Sequence, residues 1–175
     1  MDTTRMTEQS IDSLLDTIRA IGDYCPPEIT PPEIYRCQVL PPVPWDKQTI
    51  EAAIQVEIPL DLDLLWRKAS SLSLFEDIAN GQWGLIILAP NEIPAFQREK
   101  YSYWGKELIR GDLIIGKFVG DPDIVIVRCD PARDDFGSVV IGKAIAHRNG
   151  WFIAAPSVVA FLRAYLDAGG DWFWE

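Results

Sequence analysis

The sequence predicts an α+β domain in which helices flank a mostly antiparallel sheet of four to six strands. Short β-branched runs bounded by turn residues alternate with segments of helical apolar spacing, and the strands of the C-terminal half lack long βαβ crossovers. Hydrophobic residues make up 48% of the chain, too large a share for a disordered protein. The length of 175 residues suits one domain, or one domain with an N-terminal extension.

The first predicted element is an amphipathic helix that Ser10 caps and Gly22 ends. Asp12 would lie in the positively polarised first turn of this helix. Its apolar positions recur at the spacing of one helix face. They are Ile11, Leu14, Leu15 and Ile18.

The next segment, residues 25–45, is rich in proline, which removes backbone donors and forces extended or turn conformations. Its prolines stand at positions 26, 27, 31, 32, 41, 42 and 44. We interpret it as an ordered linker or wrapping arm. Its anchors would be Tyr35, Leu40 and Trp45. The chain is therefore divided into an N-terminal helix and Pro-rich arm, residues 1–45, and an α+β domain, residues 46–175.

Two short helices are predicted to meet at Pro59, where the missing backbone donor interrupts regular structure. Asp46 is the expected N-cap of the first helix. The residues that would face inward from the first helix are Ile50, Ala53 and Ile54. Those of the second helix are Leu62, Leu65 and Trp66.

Strand patterns dominate the middle of the chain. Residues 83–88 predict a buried strand, and a helix or helical turn is expected within residues 89–106. The aromatic residues expected to lead out of that helix are Tyr101, Tyr103 and Trp104. Residues 112–118 and 124–130 then predict a β-hairpin around the Gly-Asp-Pro-Asp turn at 120–123.

The last part of the chain predicts two more short strands and a closing helix. The strands are expected at residues 138–141 and 151–154, around a turn at residues 149–150. Ser157 can cap a helix over residues 158–168, which a glycine pair ends.

Acidic residues are concentrated at the front of the chain. The net charge is −10; residues 1–65 hold twelve acidic and four basic residues (−8), and residues 66–175 hold fourteen and twelve (−2). This balance opposes binding to nucleic acids and anionic membranes, and it favours a basic protein as the partner. The sequence shows no secretory signal pattern and no run near the roughly 18 apolar residues that span a bilayer, so we expect a cytoplasmic protein.

The common catalytic motifs are missing, including the Gly-rich phosphate loop, the dinucleotide fingerprint, paired metal-binding histidines and the Gly-x-Ser-x-Gly elbow. His147, the single histidine, stands in a polar Arg-Asn-Gly context that favours a turn residue over a general base. The cysteines are odd in number and lack zinc-site spacing, which favours inert thiols. They are Cys25, Cys37 and Cys129.

Five aspartates near Gly or Pro could suggest a calcium site or paired-carboxylate hydrolysis. They are Asp121, Asp123, Asp130, Asp134 and Asp135. They lack the EF-hand pattern, so solvated turns are the favoured interpretation, with an unrecognised hydrolase as a lesser alternative. We therefore expect no catalytic residue, no cofactor and no metal.

Aromatic and acidic residues at predicted strand ends and loops are the candidate contact residues for a protein partner. Rigid aromatic side chains are enriched in interface hot spots, and binding residues concentrate on loops held by a rigid scaffold. Packing at the edge of the fold is the alternative for Trp83 and for the terminal residues 171–175. The candidates are Trp83, Glu92, Tyr101, Tyr103, Trp104, Asp121 and Asp123.

The order of these segments resembles the SUKH superfamily, the Smi/Knr type of domain, over residues 46–174. The similar segments are IPLDLDLLW (58–66), LF (74–75), GLIILAPNEI (84–93), LIIGKFVGDPD (113–123), IVIV (124–127), GSV (137–139), and IAAPS (153–157) with the Phe-Leu and Tyr-Leu pairs that follow. Ser70-Ser71 departs from the Asn-Gly or Gly-Gly of many members, and the Pro-rich extension is unusually long.

The resemblance implies an α+β domain that holds a toxin, commonly a nuclease or deaminase, and it implies no catalytic residues. We therefore expect an immunity-like protein that occludes a basic toxin domain. A regulatory scaffold that binds endogenous proteins is the alternative. The oligomeric state stays open, as does whether the N-terminal helix docks on its own domain or on a neighbour.

Overall fold

The computed structural model describes residues 3–28 and 33–174. These residues form five α-helices and eight strands. The helices are α1 (Thr3–Ile21), α2 (Lys47–Ile54), α3 (Leu60–Lys68), α4 (Ile93–Trp104) and α5 (Val158–Asp167). The strands are β1 (Asp23–Tyr24), β2 (Tyr35–Val39), β3 (Leu72–Asp77), β4 (Leu85–Ile87), β5 (Asp112–Phe118), β6 (Ile124–Arg128), β7 (Val139–Gly142) and β8 (Phe152–Ala155). Pro31, Pro32 and Glu175 of the predicted segments lie outside the described residues.

The strands pair in chain order from β1 to β8, and every neighbouring pair is antiparallel. The predicted α+β class and antiparallel pairing are confirmed, whereas the prediction of four to six strands is too low for the eight in the described ranges. β1 and β2 lie within or beside the Pro-rich arm. They were not predicted because proline is unfavourable in strands and their own runs of strand residues are short. β3 begins with alternating Leu and Ser but turns acidic at Glu76 and Asp77, which masks its strand character.

Alternate residues of the central strands divide the apolar core between the two faces of the sheet. On the three-helix face, strand residues pack with α1, α3 and α5; they include Leu113, Val125, Val127 and Val139. On the opposite face, called the α4 face, strand residues pack with Trp104 and Leu108. They include Ile114, Ile124, Ile126 and Val140.

Helix α1 begins at Thr3, so the predicted N-cap at Ser10 and the first-turn position of Asp12 are both wrong. The helix can extend before Ser10 because residues 3–9 contain no Gly or Pro to interrupt it. In this first part of the helix, Thr7 Oγ1 donates to the carbonyl oxygen of Thr3 (2.9 Å). Gly22 ends the helix as predicted, with φ +58°. The four predicted apolar residues are buried, and α1 contacts α3, α5 and β2 of its own chain.

The N-terminal elements are joined to the rest of the chain by strand pairing as well as by packing. In the β2–β3 pair, Tyr35 lies opposite Asp77 and Val39 lies opposite Leu72. Arg163 Nη2 of α5 donates to the carbonyl oxygen of Ser10 (2.8 Å). The division between residues 45 and 46 stays a prediction.

Asp46 caps α2 as predicted, because its Oδ1 accepts from the backbone N–H of Gln48 (3.1 Å). Ile50 and Ile54 are buried, whereas Ala53 is exposed. The narrow buried stripe of this short helix excludes Ala53, so its predicted inward position is wrong. Helix α3 follows the predicted break and buries Leu62, Leu65 and Trp66.

Helix α4 is fixed to the backbone of β5 by one glutamine. Gln97 Nε2 donates to the carbonyl oxygen of Asp112 (2.9 Å), and Gln97 Oε1 accepts from the N–H of Ile114 (2.9 Å). The prediction that three aromatic residues lead out of this helix is wrong, because α4 runs unbroken through its last turn to the C-cap at Gly105. Those residues are Tyr101, Tyr103 and Trp104.

The β5–β6 hairpin and the closing helix form as predicted. Gly120 in the hairpin turn has φ +78°, and a Cβ there would lie 2.6 Å from the carbonyl oxygen of Gln82. Ser157 caps α5 by accepting from the N–H of Ala160 at its Oγ (3.1 Å). Across the described ranges, each helix is too short or too polar to cross a lipid bilayer.

Candidate protein-binding surface

An open groove of about 540 Å³ lies between the C-terminal end of α4 and the loop that joins β7 to β8. We call it the α4–β8 groove. It is lined by Lys100, Tyr103, Trp104, Glu107, Pro122, Ala144, Ile145, Ala146 and His147. The hairpin turn of β5–β6 contributes Pro122, so two loops and one helix converge there.

Two tryptophans connect the floor of this groove to the α4 face of the sheet. The rings of Trp104 and Trp151 meet edge to face with centroids 5.6 Å apart. Both pack with the core residues of that face. Trp151 Nε1 donates to the carbonyl oxygen of Ala146 (3.1 Å), which fixes the β7–β8 loop against the rings.

The rim of the groove exposes two large apolar or aromatic side chains. Tyr103 is 82% exposed and Ile145 is 98% exposed. A scattered exposed apolar residue is ordinary, but these two flank one concavity with an aromatic floor. Fixed aromatic side chains beside a pocket are the usual anchors of protein interfaces.

Glu107 ties the β7–β8 loop to the end of α4. Its Oε1 lies 2.9 Å from His147 Nδ1, and its Oε2 accepts from the backbone N–H of Arg148 (2.7 Å). The guanidinium of Arg148 lies over the Trp151 ring at 4.8 Å. These contacts hold the loop, and with it the exposed Ile145, in one position.

Arg148 connects this loop to a buried charge cluster. Its guanidinium binds the carboxylate of Asp112, with Nη2 3.2 Å from Oδ1. Asp112 also binds Arg128 Nη1, and Arg128 Nε donates to Asp135 Oδ2 (3.1 Å). The side chains of Asp112 and Arg128 are almost fully buried, and Arg128 Nη2 has no hydrogen-bond partner among the described residues. Buried charges need such pairing because each has lost its hydration.

The contact between Glu107 and His147 gives the loop a pH dependence. The hydrogen bond to Glu107, and then its negative charge, raises the pKa of His147 above its ordinary value, and the same hydrogen bond lowers the pKa of Glu107. The raised His147 pKa stabilises the fold below about pH 6.5, and this stabilisation is lost as the pH rises through the raised pKa. The lowered pKa of Glu107 stabilises the fold above about pH 4.3, and this stabilisation is lost as the pH falls through the lowered pKa.

Replacing Glu107 by glutamine is expected to lower the pKa of His147 towards that of an exposed histidine, because the carboxylate that favours imidazolium is gone. NMR titration of the single imidazole measures this directly. The matched control is Glu99→Gln, an exposed carboxylate of α4 that lies 3.4 Å from Lys100 Nζ. An equal His147 pKa in the wild-type and Glu107→Gln proteins would contradict the pairing.

The predicted contact residues fall into separate groups. Tyr103 and Trp104 line the α4–β8 groove. Tyr101, 59% exposed, lies instead at a second groove of about 330 Å³ between α2 and α4, which Ile50, Ile54 and Leu113 also line. Four of the seven predicted residues therefore lie elsewhere than these two grooves.

Three of those four support local structure in the present fold. Glu92 Oε2 accepts from the N–H of Ala89 at the start of α4 (2.9 Å). Asp121 Oδ1 accepts from the N–H of Asp123 (2.8 Å), and Asp123 Oδ1 accepts from the N–H of Ala144 (2.8 Å). Asp123 is buried, so its predicted place in a solvated turn is wrong; it links the hairpin turn to the loop of the groove.

Trp83 belongs to an aromatic cluster at the C-terminus. Its ring stacks on Trp172 with centroids 6.0 Å apart, and both line a small cavity of about 110 Å³ with Phe118, Tyr165 and Asp121. Tyr165 Oη and Trp174 Nε1, both of this aromatic cluster, are buried without a hydrogen-bond partner among the described residues. Packing at the edge of the fold, which was the alternative to an interface role for Trp83, accounts for these contacts.

Sequence analysis did not predict Glu107 and Ile145, which line the groove. It also did not predict the roles of Arg148 and Trp151, whose contacts hold the β7–β8 loop. Glu107 and Arg148 carry no motif, because their pairing joins positions far apart in the chain. Ile145 had a usable signal: it is an isolated large apolar residue in a loop between two strands.

In the described part of the chain, no group of three or more His, Cys, Asp or Glu side chains has the geometry to bind a metal ion. Cys37 and Cys129 are buried, and burial raises the pKa of both thiols. A raised pKa disfavours the reactive thiolate. Cys25 is exposed.

Comparison of the sequence with protein-family models finds no matching family, and comparison with curated proteins finds no significant relative. The likeness to the SUKH superfamily therefore rests on the order of short segments in this sequence.

Proposed function

We propose that this chain is a non-catalytic, SUKH-like protein-binding domain of the cytoplasm, and that it acts as an immunity protein. Its partner would be a basic toxin domain, a nuclease or deaminase, which it neutralises by occlusion. The α4–β8 groove would be the contact surface. No cofactor or metal takes part in this function.

The observation that carries the proposal is the exposure of Tyr103 and Ile145 in one groove with Trp104, whose ring packs edge to face on Trp151. Aromatic and aliphatic anchors around a pocket supply most of the energy of many interfaces. The hydrogen bonds of Glu107 and Trp151 hold this surface in place before binding, which reduces the entropy lost on association.

Charge supports a basic partner. The chain carries a net charge of −10, with −8 in residues 1–65. Long-range attraction between opposite net charges accelerates encounter and is screened by salt. We therefore expect the association rate with a basic toxin to fall as salt is raised, with a smaller change in the dissociation rate.

The alternative function is a regulatory scaffold that binds endogenous proteins. The second groove, between α2 and α4, favours this alternative because two separate concave surfaces suit a protein with two partners. The two functions differ in their genetic context, since an immunity gene lies beside its toxin gene. An unrecognised hydrolase that uses the aspartates of residues 130–135 predicts a turnover that Asp134→Asn abolishes.

The test is co-expression of this chain with the products of its neighbouring genes in a toxicity assay. Restored growth together with a purified complex of the two proteins supports the immunity function. Continued killing by every neighbouring product, with no complex recovered, contradicts it. Binding to non-toxic cellular proteins alone would favour the scaffold.

The double variant Tyr103→Ala/Ile145→Asp is expected to weaken binding of that partner about 30-fold, because loss of interface hot-spot residues costs about 2 kcal/mol or more. Isothermal titration calorimetry measures the change. The matched control is Ile78→Asp, which places the same substitution on an exposed isoleucine beyond the end of β3. Equal affinities for the wild-type and double-variant proteins, both folded by circular dichroism, would remove the groove from the interface.

A further inference from the structure

The groove of about 330 Å³ between α2 and α4 has the composition of a small-molecule site. We call it the α2–α4 groove. Its buried lining consists of Ile50, Ile54, Ile93 and Leu113. Its volume lies at the lower end of the range of about 300–1,000 Å³ for small-molecule sites, which are mostly apolar with a few polar groups that orient the ligand. The occupant that fits is a small and largely apolar molecule.

Stripes of side chains on the two helices form the walls of the α2–α4 groove. The lining positions are 50, 53 and 54 on α2 and 94, 97, 98 and 101 on α4. Their spacings of three and four residues place each set on one side of its helix. Ala53 is exposed, and its single methyl group fills little of the space between the helices. A larger side chain at this position would close the groove.

The polar groups of the groove indicate the head group of the occupant. Among the described residues that line it there is no aspartate or glutamate, and Arg98 is the only charged residue. Arg98 is exposed and forms no ion pair within the described ranges. Tyr101, 59% exposed, brings a hydroxyl to the same side of α4, whereas the Gln97 amide already bonds to the backbone of β5 at both ends. A guanidinium near a free hydroxyl favours a carboxylate, which accepts hydrogen bonds from both.

The groove continues towards the N-terminal ends of α2 and α4. A further hollow of about 240 Å³ there shares Ile50 and Pro94 with it. Trp45 and Asp46 line that end. An anionic head group is repelled by the Asp46 carboxylate and attracted by the Arg98 guanidinium at the other end. The charges therefore give the occupant a direction, with its apolar chain extending from Arg98 towards Trp45.

We propose that the α2–α4 groove binds a free carboxylate with one unbranched alkyl chain of medium length. The head group lies at Arg98 and Tyr101, and the chain lies between Ile50 and Pro94. Burial of the chain supplies affinity, and the guanidinium supplies selectivity for an anion. The α2–α4 and α4–β8 grooves have no lining residue in common within the described ranges. The site therefore does not depend on the proposed immunity function.

The test is isothermal titration calorimetry of the full-length chain with sodium decanoate at concentrations up to about 1 mM. At a pH of about 7.5 the carboxylate is ionised. The expected result is binding of one decanoate per chain. Hexanoate, which is four methylenes shorter, should bind about 100-fold more weakly, because each buried methylene contributes about fourfold. Decyltrimethylammonium, which carries a cationic head on the same chain, should give no measurable binding.

Two variants place the head group and the chain. Arg98→Gln should raise the decanoate dissociation constant about tenfold or more, because the charge-assisted hydrogen bonds are lost. Ala53→Phe should abolish binding by filling the groove. The matched controls are Arg5→Gln, at an exposed arginine of α1, and Ala95→Phe, at an exposed alanine of α4 outside the lining. Both controls should bind decanoate as the wild type does.

No heat of binding from decanoate and the wild-type chain overturns the proposal. Equal binding of decanoate and decyltrimethylammonium, or equal decanoate affinities of wild type and Arg98→Gln, overturns the anionic head group. Arg98→Gln changes an exposed side chain, so this arm does not depend on a change in folding. An Ala53→Phe protein, folded by circular dichroism, that binds decanoate as tightly as wild type overturns the assigned site. A protein partner that occupies the groove without any decanoate binding would assign it to the regulatory scaffold instead.

Discussion

Replacing Asp112 by alanine is expected to lower the free energy of unfolding by about 3–5 kcal/mol. The carboxylate is fully buried and binds both Arg128 and Arg148, and it also accepts from the N–H of Ile109 (2.9 Å). Its removal leaves the buried Arg128 cation with Asp135 alone. Denaturation in urea, followed by tryptophan fluorescence, measures the loss.

Two further variants separate this cause from a general effect of losing an acid. Asp16→Ala breaks an exposed pair with Arg19 (3.0 Å) and should change the free energy of unfolding by less than about 1 kcal/mol. Adding Arg128→Met to Asp112→Ala should recover part of the loss, because the uncompensated buried charge is then absent. An Asp112→Ala protein as stable as wild type would contradict the structural role of the cluster.

Replacing Leu14 by alanine is expected to lower the free energy of unfolding by about 2–5 kcal/mol, the range for a buried leucine. Leu14 is fully buried where α1 packs on the rest of the chain. A single unfolding transition that shifts as a whole would show that α1 and the sheet unfold together. Chemical denaturation monitored by both circular dichroism and tryptophan fluorescence measures this.

The control is Ser13→Ala on the exposed side of the same helix, which should be almost neutral. If Leu14→Ala melts α1 in a separate, earlier transition while the sheet keeps its stability, the cooperative account is wrong. That result would support the predicted division between residues 45 and 46.

The sequence predicted the elements whose local signals agree with their packing. The hairpin turn around Gly120, the N-caps at Asp46 and Ser157 and the buried stripe of α1 need only residue type and spacing. The start of α1 was misplaced because a good capping residue, Ser10, can also lie inside a helix. β2 was missed because prolines flank a strand whose pairing with β3 is a tertiary contact.

The candidate surface was only partly predictable. Tyr103 and Trp104 were found from residue type, because aromatic side chains near an element end are frequent anchors. Glu107 and Arg148 are distant in sequence, and only the fold places the carboxylate 2.7 Å from the backbone nitrogen of the arginine. Asp121 and Asp123 were chosen as acidic residues of a predicted turn, but Asp121 accepts a hydrogen bond within that turn and Asp123 accepts one from the N–H of Ala144 in the β7–β8 loop.

The central claim is that the α4–β8 groove binds a basic protein. A photo-crosslinking amino acid at position 103 of the full-length chain, expressed in its own cells, tests it most directly, with the same amino acid at position 78 as the control. The account predicts a discrete basic protein crosslinked from position 103, absent from position 78, whose purified form binds the wild-type chain. No crosslinked partner from position 103, or the same partners from both positions, would contradict it.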